Sequence, residues 1–340
     1  MDTYPPAPLV PRDLPRDHPL VTMDYSLFTP PIQHMVESLA GWIDDRFNGA
    51  VIYGPSRFGK SSAVNHWLQS LLADRYGGYV PLVIWSHTAE SANQSVGTFY
   101  MHLLEASRHP LARAARGVPA RLEMLVQRWT QLAAQGGGRF MVLVIDEAQS
   151  MTDREWQWLV QLHSRLEQEH VRLCVFCVAS VQFFDEPIGM ALSGGAHVAA
   201  RFMLATERFR GVCGLDELAF IMSGYDHATE WPPGSGQSFT AGIAPRAWAE
   251  GFRMEAHAPA LLQAMLDELP SRYQGPHEFP MQTIAMSCRH VLLRIAGGAD
   301  WRDVTGAQSM RSIVAGCGHK TLMALVSAVA PRLNKGRDPG

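Results

Sequence analysis

The sequence predicts an α/β fold: a parallel sheet flanked by helices, followed by an α-helical C-terminal region. Three observations lead there. Four short runs, "AVIYG", "YVPLVIWS", "RFMVLVID" and "VRLCVFCVAS", are almost continuously apolar, as strands buried on both faces of a parallel sheet are. Segments of helical period alternate with these runs, which is the order of a doubly wound sheet. From about Val212 the pattern changes to helical segments with polar or Pro/Gly-rich breaks such as "WPPGSGQSF".

In chain order, residues 1–29 read as an extended Pro-rich arm, 30–211 as the α/β core, and 212–340 as a helical lid and C-terminal region. The arm, "MDTYPPAPLVPRDLPRDHPL", has prolines where a secretory signal needs an apolar stretch. The core opens on "PPIQHMVESLAGWIDDRF", in which Ile32, Met35, Val36, Leu39, Ile43 and Phe47 recur at three- and four-residue intervals. That spacing predicts a helix ending near Arg46. Further helices are expected over 61–75, over 94–134 with a break near "RGVPAR", and over 154–169.

Composition narrows the partners. A formal charge of −3 and a pI near 6.5 give no bulk attraction to nucleic acid or an anionic membrane, so either would need a local basic patch. Five scattered cysteines suit reduced thiols in a cytoplasmic protein. Cys174 and Cys177 form a CxxC, but they lie in an apolar strand-like run without a second pair at zinc spacing, so no metal is assigned to them. No uncharged apolar run approaches the ~20 residues of a membrane helix, and no membrane partner is expected.

The first run leads directly into "GPSRFGKSS", residues Gly54, Pro55, Ser56, Arg57, Phe58, Gly59, Lys60, Ser61 and Ser62. It matches G-x-x-x-x-G-K-[ST] at each fixed position, after a strand and before a helix. Glycines let backbone N–H groups close on phosphates, Lys60 reaches the β/γ oxygens of ATP, and the Ser61 hydroxyl helps hold Mg²⁺. The third run ends in Asp146 and Glu147. Two acids at the end of a buried strand are costly unless used. Asp146 suits the Mg²⁺, and Glu147 suits orienting and polarising an attacking water. A kinase would not need the second acid, so the pair favours hydrolysis. The "DEAQ" string also occurs in helicase boxes, but a helicase needs a second core with an arginine-rich motif, which the C-terminal third lacks.

The fourth run ends "VASVQ", offering Ser180 and Gln182 as polar groups near a γ-phosphate. Downstream, "AHVAARFMLATERFRGV" brings Arg201, Arg208 and Arg210 within ten positions. Arg201 is the candidate for an arginine acting on a neighbouring subunit's nucleotide.

With these motifs placed, the chain resembles an AAA+ ATPase over roughly residues 30–225. Within that group it is similar to the TnsC/TniB-type regulators of DNA transposition, relatives of MuB and IstB. The likeness rests on "GPSRFGKSS", on "VLVIDEAQ", and on "ARF" with the following "RFRG" before "LDELAFIM". It implies an oligomer, ring or helical filament, that binds double-stranded DNA with ATP. It also implies a transposase and a target-selection protein as partners. The long interval from Lys60 to Asp146 departs from the pattern and leaves room for an inserted helical segment. The arginine that such proteins place in the lid has no clear match; Arg289 and Arg294 are the candidates.

The inserted segment holds the local basic patch. "ASRHPLARAARGVPAR" carries Arg108, Arg113, Arg116 and Arg121 and no acid, enough to grip DNA phosphates without reading sequence; a solvated helix face is the plainer alternative. Two functions stay open at this level: an ATP-hydrolysing regulator of transposition, and an ATP-binding adaptor such as a helicase loader with little turnover.

Overall fold

The computed structural model describes residues 8–88, 94–114 and 117–330. The chain divides into two compact units. One comprises residues 32–56 and 60–209, the other residues up to 31, Arg57–Gly59 and the chain from Arg210 onward.

The first unit is built on five strands: β1 (Gly49–Tyr53), β2 (Leu82–Ser86), β3 (Phe140–Asp146), β4 (Arg172–Ala179) and β5 (Ala205–Arg208). Their order is β2-β3-β4-β1-β5, and all neighbours are parallel. The central strands β1, β3 and β4 are buried along almost their whole length, which is why they read as unbroken apolar runs. The fifth strand was not expected. It is a four-residue edge strand, "ATER", with no fully buried position. Such an edge carries polar and charged residues that discourage pairing with another chain, and so lacks a strand's apolar signature.

The longer helices of this unit are α1 (Pro30–Asp44), α2 (60–76), α3 (Val96–Ala106), α4 (Val118–Gln135), α5 (Asp153–Gln168) and α6 (Ala196–Phe202). A π turn at Ala63–Trp67 interrupts α2. The break between α3 and α4 lies mostly before "RGVPAR", since Val118 and Pro119 already form the first turn of α4. The apolar face of α4, with Leu125, Val126, Trp129, Leu132 and Ala133, packs in one core with β3, β4, α3 and α5. Trp129 and Trp156 are the largest side chains sealed in it.

The second unit is helical. Its longer helices are α7 (Gly214–His227), α8 (Ala258–Asp267), α9 (Met281–Ala296), α10 (Ala307–Gly316) and α11 (His319–Ala328). Leu218, Met222, Leu261, Ile284, Leu292 and Ile313 form its centre. The described residues of the segment expected as an arm over 1–29 are anchored in this core. Leu20 and Leu27 are buried in this core, the Leu20 carbonyl accepts from Arg289 Nε at 2.6 Å, and the Tyr25 and Tyr225 hydroxyls meet at 2.9 Å. Two leucines and one tyrosine, spaced among prolines, anchor the segment without any periodic signal. Arg289, a candidate lid arginine, is thereby engaged within its own unit. Among the described residues no helix is long and apolar enough to cross a membrane.

Candidate active site

Strand register decides what shares the carboxyl edge of the sheet. Tyr53 of β1 lies opposite Ala179 of β4, and Asp146 of β3 opposite Val178. The residues that follow, Gly54, Glu147 and Ser180, therefore leave the sheet along one edge, where open α/β sheets place their ligands.

Gly54 is glycine for lack of space: a Cβ there would lie 2.5 Å from the Phe209 carbonyl oxygen. Its N–H donates to the Ala179 carbonyl at 3.2 Å, pinning the loop's start to β4. Further along, Arg57 (φ 70°) and Gly59 (φ 113°) are left-handed, turning the backbone sharply before the helix. Lys60 Nζ donates to the carbonyls of Gly54 and Pro55 at 2.8 and 2.7 Å, so two of its three donors hold it over the loop. Burial pulls its pKa down to about 8, against the opposing pull of Glu147 and Asp146.

Asp146 is buried, and desolvation raises its carboxyl pKa. The Ser61 hydroxyl, the Glu147 N–H at 3.0 Å and the charge of Lys60 act in the opposite direction, while the Glu147 carboxylate adds to the rise. A buried carboxylate beside a serine hydroxyl is a donor set that fits Mg²⁺. That ion takes one or two protein oxygens and completes its octahedron with phosphates and water. Among the described residues no group of three or more His, Cys, Asp or Glu is placed to hold a metal ion.

Glu147 is exposed and itself left-handed (φ 60°). Its Oε2 accepts from Gln149 Nε2 at 2.5 Å, and Gln149 Oε1 accepts from the Ser180 N–H at 3.0 Å. This bridge spans 31 residues of chain and was not anticipated from the sequence. Nor was His87, directly after β2. Its N–H donates to the Asp146 carbonyl at 2.9 Å, and its Nε2 lies 2.9 Å from the buried Glu155. Burial would raise the Glu155 pKa, but His87 and the Thr152 N–H and hydroxyl outweigh it and lower the pKa. Glu155 also closes the capping box at the start of α5. The segment after the two acids is thus tied to β2, β4 and α5.

The other candidate residues are placed as follows. Ser180 offers its backbone to Gln149, and Gln182 is exposed. Arg201, in the last turn of α6, donates to the Ser164 hydroxyl at 3.2 Å. Arg208 sits on β5, and Arg210 is gripped by Glu217 at 2.6 and 2.8 Å. In the basic segment, residues 107–114 and 117 form the turn between helices rather than a helix face. Arg113 is 83% exposed but pairs with Glu105, an acid just before the segment, at 2.5 Å. Arg108 is exposed and left-handed, Arg121 lies on α4, and Arg116 falls outside the described residues. Cys174 and Cys177, three apart on β4, point to opposite faces of the sheet, and burial pushes both thiols up.

Residues 47–183 match the AAA domain family model. Among solved structures, the ORC2 protein of Aeropyrum pernix, in ADPNP and ADP complexes, aligns at 14% identity and TM-score 0.56. That alignment covers 89% of this chain and 72% of that one. Drosophila ORC bound to DNA aligns at 13% identity and TM-score 0.53, over 84% and 67% of the two chains. No curated protein matches the chain in sequence. At these identities the likeness is one of fold, and the fold is AAA+: a five-stranded parallel sheet between helices, with a helical C-terminal region.

Proposed function

We propose that this protein hydrolyses ATP with Mg²⁺ and uses the nucleotide to control its assembly on duplex DNA. In that role it would mark target DNA for transposition and recruit or activate a transposase. The observation that supports the chemistry is the common edge carrying Lys60, Ser61, Asp146 and Glu147. Lys60 would contact the β/γ oxygens, Ser61 and Asp146 would hold Mg²⁺, which supplies neutralisation of phosphate charge when bound, and Glu147 would orient the water. Arg201 is assigned to the nucleotide of a neighbouring subunit in a ring or filament. Mixing Arg201→Ala with Glu147→Gln protein is then expected to restore turnover that neither variant shows alone, since one mixed interface holds both native groups. Undiminished turnover by Arg201→Ala protein alone would dismiss that role.

The DNA half of the reading is supported by the likeness of the glycine loop and acidic strand end to TnsC/TniB-type regulators. A DNA-bound complex with the same fold is in keeping with it. Arg108, Arg113, Arg116 and Arg121 are the proposed phosphate contacts, Arg113 exchanging Glu105 for a phosphate. Affinity for duplex should require ATP, vary little with sequence and fall with salt at a slope of about −0.9 per neutralised phosphate. Replacing Arg108 and Arg113 with alanine should flatten that slope by about 0.9 for each arginine removed, leaving ATP binding intact. Titrations of labelled duplex at several salt concentrations measure both. If no duplex binds at low salt with ATP, the transposition reading fails and the adaptor reading takes its place.

A further inference from the structure

We propose that Gln149 is a positioning residue that ties the Glu147 carboxylate to the carboxyl end of β4. The water-orienting group would then move together with the strand end nearest the γ-phosphate. The inference rests on the hydrolytic reading of Glu147. It starts from two hydrogen bonds of opposite polarity on one side-chain amide, Nε2 to Glu147 Oε2 at 2.5 Å and Oε1 from the Ser180 N–H at 3.0 Å. An ionised carboxylate only accepts and a backbone N–H only donates, so these partners fix which way the amide faces. Among the ionisable alternatives, glutamate would repel Glu147 and lysine could not accept from Ser180. Asparagine lacks a methylene of reach. Glu147 needs such a tether because it is exposed and sits on a left-handed residue, with its side chain otherwise free to sample rotamers in solvent. Holding one oxygen leaves the other to orient water.

The test uses the full chain with ATP and Mg²⁺, measuring turnover and, separately, nucleotide affinity with a fluorescent ATP analogue. Gln149→Ala is expected to lower kcat about 10- to 100-fold, the range for a misplaced reacting group, with nucleotide affinity unchanged. Unchanged affinity also shows that the variant is folded. Gln149→Glu separates positioning from simple satisfaction of the Ser180 N–H, because it keeps that bond and repels Glu147; its kcat should fall at least as far. In a Glu147→Gln background, Gln149→Ala should cause no further loss, since both act through one group. Normal kcat in Gln149→Glu, or an additional loss in the Glu147→Gln background, would overturn the role of Gln149. Normal turnover in Glu147→Gln alone would instead sink the hydrolytic reading beneath it.

Discussion

Glu147→Gln should lower ATP turnover by roughly 10²- to 10⁴-fold, the contribution of a positioned general base, while nucleotide affinity stays at the level of the native protein. The amide keeps the shape of the carboxylate and removes the charge that polarises water. On the proposed assignment the loop, Lys60 and Ser61 would hold the phosphates, so binding should be spared. Steady-state phosphate release against an equilibrium binding titration makes the comparison. Equal loss in both measurements would show that Glu147 is a structural residue.

Lys60→Ala should weaken ATP binding by roughly 30-fold to several thousand-fold, the cost of about 2–5 kcal/mol for removing one partner of a desolvated charge pair. The native protein carries a pH signature of the same residue. With the Lys60 pKa at about 8 before nucleotide binds, the ammonium loses its proton as pH rises through that value, and ATP affinity should decline above it. The sign for folding is opposite. The unfolded chain holds its proton to a higher pH than the folded one, so apo stability rises from about pH 8 upward while affinity falls. Lys60→Arg, which stays charged, should flatten the affinity profile. Calorimetric titrations between pH 7 and about 9.5 read this directly; a profile unchanged by Lys60→Arg would assign the titration to another group.

What the sequence made legible follows from locality. A phosphate loop has to be contiguous, because successive backbone N–H groups turn inward together, so Gly54 to Ser62 could be read as one object. Asp146 and Glu147 stood out because charge at the end of "MVLVI" has no place in a core. The central strands β1, β3 and β4 were visible because burial on both faces leaves almost no polar position, and the half-buried edge strand β2 because four of its five residues are still apolar. The edge strand "ATER" escaped since burial on it is incomplete. The Gln149 bridge escaped for another reason: it depends on strand register between β3 and β4, which no local pattern encodes. Leu20 and Leu27 are held in the same non-local way, and Glu105 opposite Arg113 depends on the turn after α3 bending back.

The strand order also has a consequence during synthesis. β1 pairs with β4 and β5, never with β2 or β3, so it is the first strand made and the one that waits longest for a neighbour. About 120 residues separate the end of β1 from the start of β4, roughly 6 to 25 seconds of chain elongation at typical rates. Throughout that interval the nascent chain carries an apolar strand with two open edges, next to a glycine loop that cannot yet take its shape. β2 and β3 can meet sooner, so "GAVIY" is the apolar strand that stays without a sheet neighbour for the longest stretch of chain.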